Sequence, residues 1–286
     1  MITTNNLGLP EAFVKAVSNV RHNKQGSLSA TTLLQGTKQI VLFDRHFDEL
    51  EQDAADLVWA TFGTAYHSIM EKQEDDSFKE EYFETDVANW KVTGRVDRYD
   101  LENEILEDWK TASVWKVIYK SFDDWKAQGL TYAWLMKKAG LNVKKCRFVA
   151  LLKDHSKKDA KIKADYPQKP VYIYEFAVTE QDLAETEKRI VSKIENINQA
   201  YKLGDDDIEP CSPEERWETA PKFAVMKPGR KTALRVFEIR ADADLFLLDQ
   251  PDGCYVEERK GECKKCLDYC PCKDFCNFYK QLQEEN

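Results

Sequence analysis

The chain has no run of about 18 apolar residues, so no membrane-spanning helix of the usual kind is expected. Met1 to Pro10 holds no basic stretch followed by an apolar one, which argues against a secretory signal and for a cytoplasmic location. Positive charge is in deficit. Lys and Arg number 42 against 51 Asp and Glu, a formal net charge of −9, so a polyanion must be met by a local basic surface and not by bulk charge. Candidate stretches are Lys137-Lys138, Lys144-Lys145, Lys157 to Lys163 and Lys227 to Arg235, with Met226 to Lys231 best suited to a phosphate backbone. Cysteine is absent before Cys146, and no internal repeat is found.

What is present suffices for a packed core. The 286 residues are 42% hydrophobic and 33% charged, which fits one large domain or a domain with a substantial appendage. Glu11 to Arg21 has helical spacing and, with a polar connector, makes a leading segment over 1–28. Ser29 to Thr32 suits a helix start, because these hydroxyls accept from unpaired amides. Gln52 to Lys72 is the clearest helix, with Leu57, Ala60, Thr64, His67 and Glu71 recurring at three- and four-residue spacing. Gly63 within it predicts the close approach of another backbone. Strands follow at Lys79 to Val87, Trp90 to Leu101 and Glu104 to Lys110, the last two joined near Glu102-Asn103. A helix from Asp124 to Ala139 stops at Gly140, strands at Arg147 to Lys153 and Val171 to Val178 complete the sheet, and Gln181 to Leu203 is a long polar helix. The order reads as an α/β core over 29–204, followed by a Cys-rich C-terminal extension over 205–286.

Two aspartates and a lysine carry chemistry. Asp97, in Gly94-Arg95-Val96-Asp97, and Asp108, in Asp108-Trp109-Lys110, lie on consecutive strands, so a hairpin sets both carboxylates on one face. Lys110 is two residues from Asp108 and points the same way. Converging carboxylates hold a hard divalent cation, and a nearby ammonium supports an attacking water or a developing phosphate charge. The set suits phosphodiester hydrolysis. Gln128 and Tyr132, four apart on a helix, either clamp a substrate strand or orient the lysine; the plainer reading is a surface pair with Tyr132 partly in the core. His67 reads as a hydrogen-bonded structural histidine or, with Glu71 one turn on, as a ligand favouring manganese over magnesium alone.

Taken in order, Gly63-Thr64-Ala65-Tyr66-His67, Gly94-Arg95-Val96-Asp97, Asp108-Trp109-Lys110 and Gln128-x-x-x-Tyr132 resemble the motifs of the RecB-like branch of the PD-(D/E)XK nucleases, and phage-encoded exonucleases in particular. The resemblance spans Ser29 to Val178. It implies a restriction-endonuclease-like mixed central sheet flanked by helices. It also implies His67, Asp97, Asp108 and the carbonyl of Trp109 as ligands of Mg2+ or Mn2+, Lys110 as catalytic lysine, and Gln128 with Tyr132 as the helix motif of the branch. The activity it implies is metal-dependent hydrolysis of DNA, as an exonuclease of recombination, repair or phage DNA processing. The location is then the host cytoplasm if the gene is phage-borne, and a recombination or helicase protein is a candidate partner.

Six of the eight cysteines crowd between Cys254 and Cys276. In a long chain without a signal, such crowding points to a metal or an iron–sulfur cluster rather than to disulfides. Cys263-x2-Cys266-x3-Cys270-x-Cys272-x3-Cys276 offers more thiolates than one tetrahedral site takes, so Zn2+ and a cluster both stand. The family resemblance implies a [4Fe-4S] cluster held by one cysteine before the nuclease motifs and three after them; the first is missing here. The closing trio resembles Cys266, Cys270 and Cys276, with Cys211 preferred as the fourth ligand and Cys263 as the alternative. Cys146 is expected to be a small buried hydrophobe. Two rival readings are a catalytically silent DNA-binding or assembly protein on the same fold, with a zinc or iron–sulfur tail, and a zinc-binding interaction module. Intact Asp97, Asp108 and Lys110 count against the first.

Overall fold

The computed structural model describes all residues except 19–21, 23, 24, 74, 76, 285 and 286, and divides the chain into two units, Met1–Gly204 and Asp205–Asn286. The first unit opens with β1 (Ile2–Thr4), α1 (Glu11–Val17), β2 (Ser27–Ser29), α2 (Thr37–Arg45), β3 (Glu51–Asp53) and α3 (Val58–Glu71). Strands β4 (Phe78–Val87), β5 (Trp90–Asp100) and β6 (Ile105–Ala112) follow, then helices α4 (Val114–Ile118) and α5 (Asp123–Lys138). The unit closes with β7 (Lys145–Leu152), α6 (Lys157–Ile162), β8 (Val171–Ala177) and α7 (Glu180–Ala200).

Six strands form one mixed sheet in the order β2-β5-β6-β7-β8, with β4 on the other edge of β5. The expected mixed central sheet flanked by helices is present. On the edge of β5 that faces β6, β2 takes Lys91 to Thr93 and β6 takes Arg98 to Asp100. Residues 94–97 lie between them without a strand partner on that edge. The sheet therefore opens into a cleft at Asp97.

One face of the sheet is covered by α5, whose residues 128–136 are all buried. Its end is set by Gly140 at φ +85°, where Leu141 N–H donates to Met136 O at 2.9 Å and Gly140 N–H to Lys137 O at 3.0 Å, as expected. Helix α7 starts with a capping box, Thr179 against Asp182, and buries Leu183, Ile190, Ile194 and Ile197 along one stripe. Each of those side chains contributes about 1.5–3 kcal/mol. Cys146 is fully buried in β7, as expected of a small hydrophobe.

On the sheet face opposite Asp97 and Asp108, a ladder of charge crosses four strands in register. Arg98 pairs with Glu107, Glu107 with Arg147 (2.7 Å), and Arg147 with Glu175. Glu107 is 6% exposed and shared by two guanidinium groups, so the ladder fixes the register of β5, β6 and β7.

Several local expectations give way. The helix expected from Glu11 ends at Val17, and residues 19–21 lie outside the described residues, as do 23 and 24 of the connector. Ser29 Oγ does accept the Thr32 amide (3.1 Å), but it caps a single 3-10 turn; α2 begins only at Thr37, after Gly36. The helix expected from Gln52 starts at Val58, because Glu51 to Asp53 pair in parallel with Ile2 to Thr4. Gly63 meets no backbone: a Cβ there would be 3.7 Å from Thr111 Oγ1, an ordinary contact. Lysines 137, 138, 144 and 145 each pair with a glutamate, so those basic stretches are neutralised.

The second unit carries β9 (Lys222–Met226), β10 (Arg235–Phe237), α8 (Arg240–Leu248) and β11 (Tyr255–Arg259), with the strands antiparallel in the order β10-β9-β11. A π-type turn over Lys265–Tyr269, a 3-10 turn over Lys273–Phe275 and α9 (Asn277–Glu284) complete it. Among the described residues no helix is long and apolar enough to cross a membrane.

In the first unit, Gly94 is a glycine that the packing does require. A Cβ there would lie 2.8 Å from both Leu135 Cδ1 and Tyr132 Cδ1 of α5. Gly94→Ala should lower stability by about 1–3 kcal/mol, whereas Gly63→Ala should leave it unchanged or raise it by up to about 1 kcal/mol. Denaturant titration of both variants checks this contrast. In the same assay Glu107→Ala should cost about 2 kcal/mol, less than an enclosed pair because both arginines keep access to water.

Candidate active site

Where β5 parts from β6, the amide of Trp109 has lost the strand partner it would otherwise bond. Asp97 supplies the acceptor: Trp109 N–H donates to Asp97 Oδ2 at 2.7 Å. The other oxygen, Oδ1, lies 3.2 Å from His67 Nδ1 on α3. Hydrogen bonding to Asp97 raises the His67 pKa, against the opposing effect of burial. Asp97 is thus held at both oxygens, by a backbone amide and by an imidazole.

Glu80 completes a donor group that the sequence reading did not include. His67, Glu80 and Asp97 each bring one ligand atom, and these three atoms lie within 4.8 Å of one another. Glu80 sits on β4 opposite Asp97, between the pairs Lys79↔Arg98 and Glu81↔Val96, with its own backbone at φ +51°. A left-handed residue inside a strand is uncommon and marks a locally imposed conformation. Burial raises the Glu80 carboxyl pKa, and the neighbouring Asp97 raises it further. Glu71, expected one turn beyond His67 as a second ligand, is exposed, and Glu80 takes that place. The signal for Glu80 lay in the hairpin. With Ala88 and Asn89 as the turn and Val87 opposite Trp90, counting back along the strands puts residue 80 across from 97.

Asp108 lies at the middle of β6, 2% exposed, and Lys110 turns to the same side, as period-2 alternation requires. Lys110 Nζ meets Asp108 Oδ1 at 2.6 Å in an enclosed ion pair, and the second lone pair of this oxygen keeps acceptor capacity. Burial pushes the Asp108 carboxyl up to about 6; Lys110 opposes the rise and Asp97 adds to it. Asp108 does not belong to the three-atom group of His67, Glu80 and Asp97, although it feels the charges of two of them.

Helix α5 closes the site. Lys110 Nζ donates to Gln128 Oε1 at 2.9 Å, and Gln128 Nε2 donates to Tyr132 Oη at 2.9 Å and more weakly to Asp108 Oδ2 at 3.4 Å. Both Gln128 and Tyr132 are buried, so they are not the surface pair of the plainer reading. Of the two expected roles, the geometry matches orientation of the lysine. The remaining expected residue, Trp109, packs its ring in the core while its amide anchors Asp97.

These donors fit a divalent cation. Two carboxylates and an imidazole converge, a third carboxylate has an enclosed oxygen with acceptor capacity to spare, and burial together with the neighbouring Asp97 holds Glu80 and Asp108 above their ordinary pKa. The imidazole favours manganese or another transition ion alongside magnesium.

The second unit holds seven of the eight cysteines. Cys211, Cys263, Cys270 and Cys276 all act electrostatically on Cys266, whose thiol burial pushes up to about 12. Cys270 is drawn down to about 7 by hydrogen bonds from the Cys272 side chain and amide. Cys263 is buried, and its thiol is engaged by Arg216. Cys146 stands apart in the first unit, and no disulfide is formed by any of the eight.

Three solved structures are similar at low identity. The SSO0001 protein aligns at 18% identity and TM-score 0.44, over 65% of this chain and 81% of its own. A phage-related exonuclease from Haemophilus somnus 129PT aligns at 12% and 0.42, over 63% and 95%. An alkaline exonuclease from Laribacter hongkongensis aligns at 12% and 0.38, over 68% and 95%. Comparison with curated proteins finds no match. Residues 34–213, more than half of the chain and including every residue of the cleft, match the PD-(D/E)XK nuclease superfamily, and the chain belongs to that superfamily.

Proposed function

We propose that the protein is a divalent-metal-dependent deoxyribonuclease, working as an exonuclease in recombination, repair or phage DNA processing. Nucleases of this superfamily use divalent metals such as Mg2+. The observation that carries the reading is Lys110 Nζ, held between Asp108 (2.6 Å) and Gln128 Oε1 (2.9 Å) beside the donor group of His67, Glu80 and Asp97.

In this reading His67, Asp97 and Asp108, with Glu80 and the carbonyl of Trp109, would hold Mg2+ or Mn2+. When bound, the ion supplies a more acidic water and polarises the scissile phosphate. The chain's own residues do the rest. Asp97 and Asp108 position the charge of the site, and their fixed placement avoids reorganisation during reaction. Lys110 supports the nucleophile and the charge that develops on phosphate oxygens. Gln128 holds that ammonium in place through its Oε1 and is itself held by Tyr132.

Cys211, Cys266, Cys270 and Cys276 are assigned to a [4Fe-4S] cluster. The lowered Cys270 thiol supports thiolate chemistry, and the engagement of Cys263 with Arg216 supports Cys211 as the fourth ligand.

Asp108→Ala and Lys110→Ala should each lower degradation of DNA at least about 100-fold in Mg2+ or Mn2+, and EDTA should abolish it. Gln128→Ala should lose about 10-fold, since it acts through Lys110. Linear and circular DNA labelled at each end distinguish end-dependent from internal cutting. Full activity in either of the first two variants refutes the assignment. For the extension, anaerobic protein should contain about four irons per chain, lost in Cys211→Ser and kept in Cys263→Ser; zinc without iron overturns the cluster.

A further inference from the structure

Helix α3 is unusual in having no buried residue although much of it is apolar. Trp59, Phe62, Tyr66 and Ile69 recur at steps of three, four and three, so they form one stripe along the helix. Trp59 is 58% exposed, Phe62 39% and Ile69 60%. A helix of a globular protein normally buries such a stripe, and one left in water marks a surface that something else covers. The neighbouring stripe of the same helix faces the sheet: Gly63 meets Thr111, and His67 meets Asp97.

We propose that Trp59 and Phe62, with Lys153, form a stacking platform for single-stranded DNA that leads into the cleft. The proposal deepens the nuclease reading and rests on it for the direction of the strand. The chemistry of the patch selects the occupant. Lys153 Nζ lies 4.2 Å from the centroid of the Trp59 ring, and Trp59 and Phe62 stand edge to face with centroids 6.5 Å apart. Ring faces beside an ammonium suit a chain of flat bases on a phosphate backbone.

Position supports the same occupant. Trp59 precedes His67 by eight residues, about 12 Å along the helix axis, room for at most three to four nucleotides at the stacked spacing of about 3.4 Å. The end of the sheet where Lys153 lies carries a second exposed aromatic pair. Trp115 and Tyr119 of α4 stack at 5.7 Å, and α4 is pinned there by Ser113 Oγ and Val114 N–H, which both donate to Asp154. Helix α6, with Lys157, Lys158 and Lys161, follows directly from that loop.

The test is the affinity of the full chain for a fluorescein-labelled oligothymidylate, read by anisotropy in EDTA so that no hydrolysis occurs. Trp59→Ala and Phe62→Ala should each weaken binding about fivefold or more. Trp59→Leu, which keeps apolar bulk and removes the ring, should lose as much as Trp59→Ala, and Trp59→Phe should keep most of the affinity. Lys153→Ala should lower the salt dependence by about 0.7 in the log–log slope. Wild-type affinity in Trp59→Leu and Phe62→Ala overturns the proposal, as does a wild-type protein that does not bind the probe. So does a change in oligomeric state by light scattering with DNA affinity unchanged, which would make the stripe a contact between copies of the chain. A wild-type protein that binds through Trp59 but cuts no DNA would refute the nuclease reading and leave the platform standing.

Discussion

Asp97 taking the amide of Trp109 is the interaction on which the site depends. Two antiparallel strands that separate leave backbone donors and acceptors without partners, and a buried unpaired amide costs as much as a lost hydrogen bond. A carboxylate that satisfies the amide turns this liability into a fixed point. Its second oxygen is then aimed at His67, and the strand beyond it carries Glu80 to the same place. Neither Asp97 nor its neighbours need to reorganise to present donor atoms. That preorganisation has a cost, visible in Glu80 and Asp108, whose burial disfavours their charged forms.

The rest of the first unit keeps that cleft in shape. On one face of the sheet α5 approaches so closely that Gly94 has no room for a side chain, and this approach delivers Gln128 to Lys110. On the other face the ladder from Arg98 to Glu175 locks four strands in register. A slip of one residue would exchange the faces of Asp108 and Glu107, putting the ladder's acid in the cleft and the cleft's acid outside it. Structural and chemical acids are adjacent in sequence and separated only by the alternation of the strand.

That alternation is also why so much of the site was legible. Asp108 with Lys110 follows from period 2, Gln128 with Tyr132 from the helical repeat, and the Schellman turn at Gly140 from a glycine after a run of helix formers. All three are local rules. Glu80 needed one more step, the hairpin register counted from Ala88-Asn89, and its left-handed backbone has no sequence signal of its own because the residue is not glycine. The misplacement of the α3 start has a different cause. Glu51 to Asp53 are strand only because Ile2 to Thr4, about fifty residues earlier, lie beside them, and local propensity carries no trace of such a partner. Gly63 was ambiguous in principle, since a glycine in a helix is required only when a neighbour leaves no room for a methyl group, and Thr111 at 3.7 Å leaves that room.

The acidity of the chain has a physical resolution within the same geometry. Of the lysine pairs that might have formed a basic surface, those at 137–138 and 144–145 are spent on glutamates of the chain itself. In the cleft, Glu80, Asp97 and Asp108 outnumber Lys110 and His67, so on the proposed reading a phosphate would be repelled until a cation is bound. A substrate that reaches such a cleft has to be held first by contacts that do not depend on the cleft's own charge. Exposed rings can do this, because stacking on a base is indifferent to the phosphate it carries. On the proposed reading, a metal-dependent attraction at the centre and an aromatic approach on α3 would hold the substrate although acids outnumber bases 51 to 42, and the net negative charge would disfavour indiscriminate binding along a duplex.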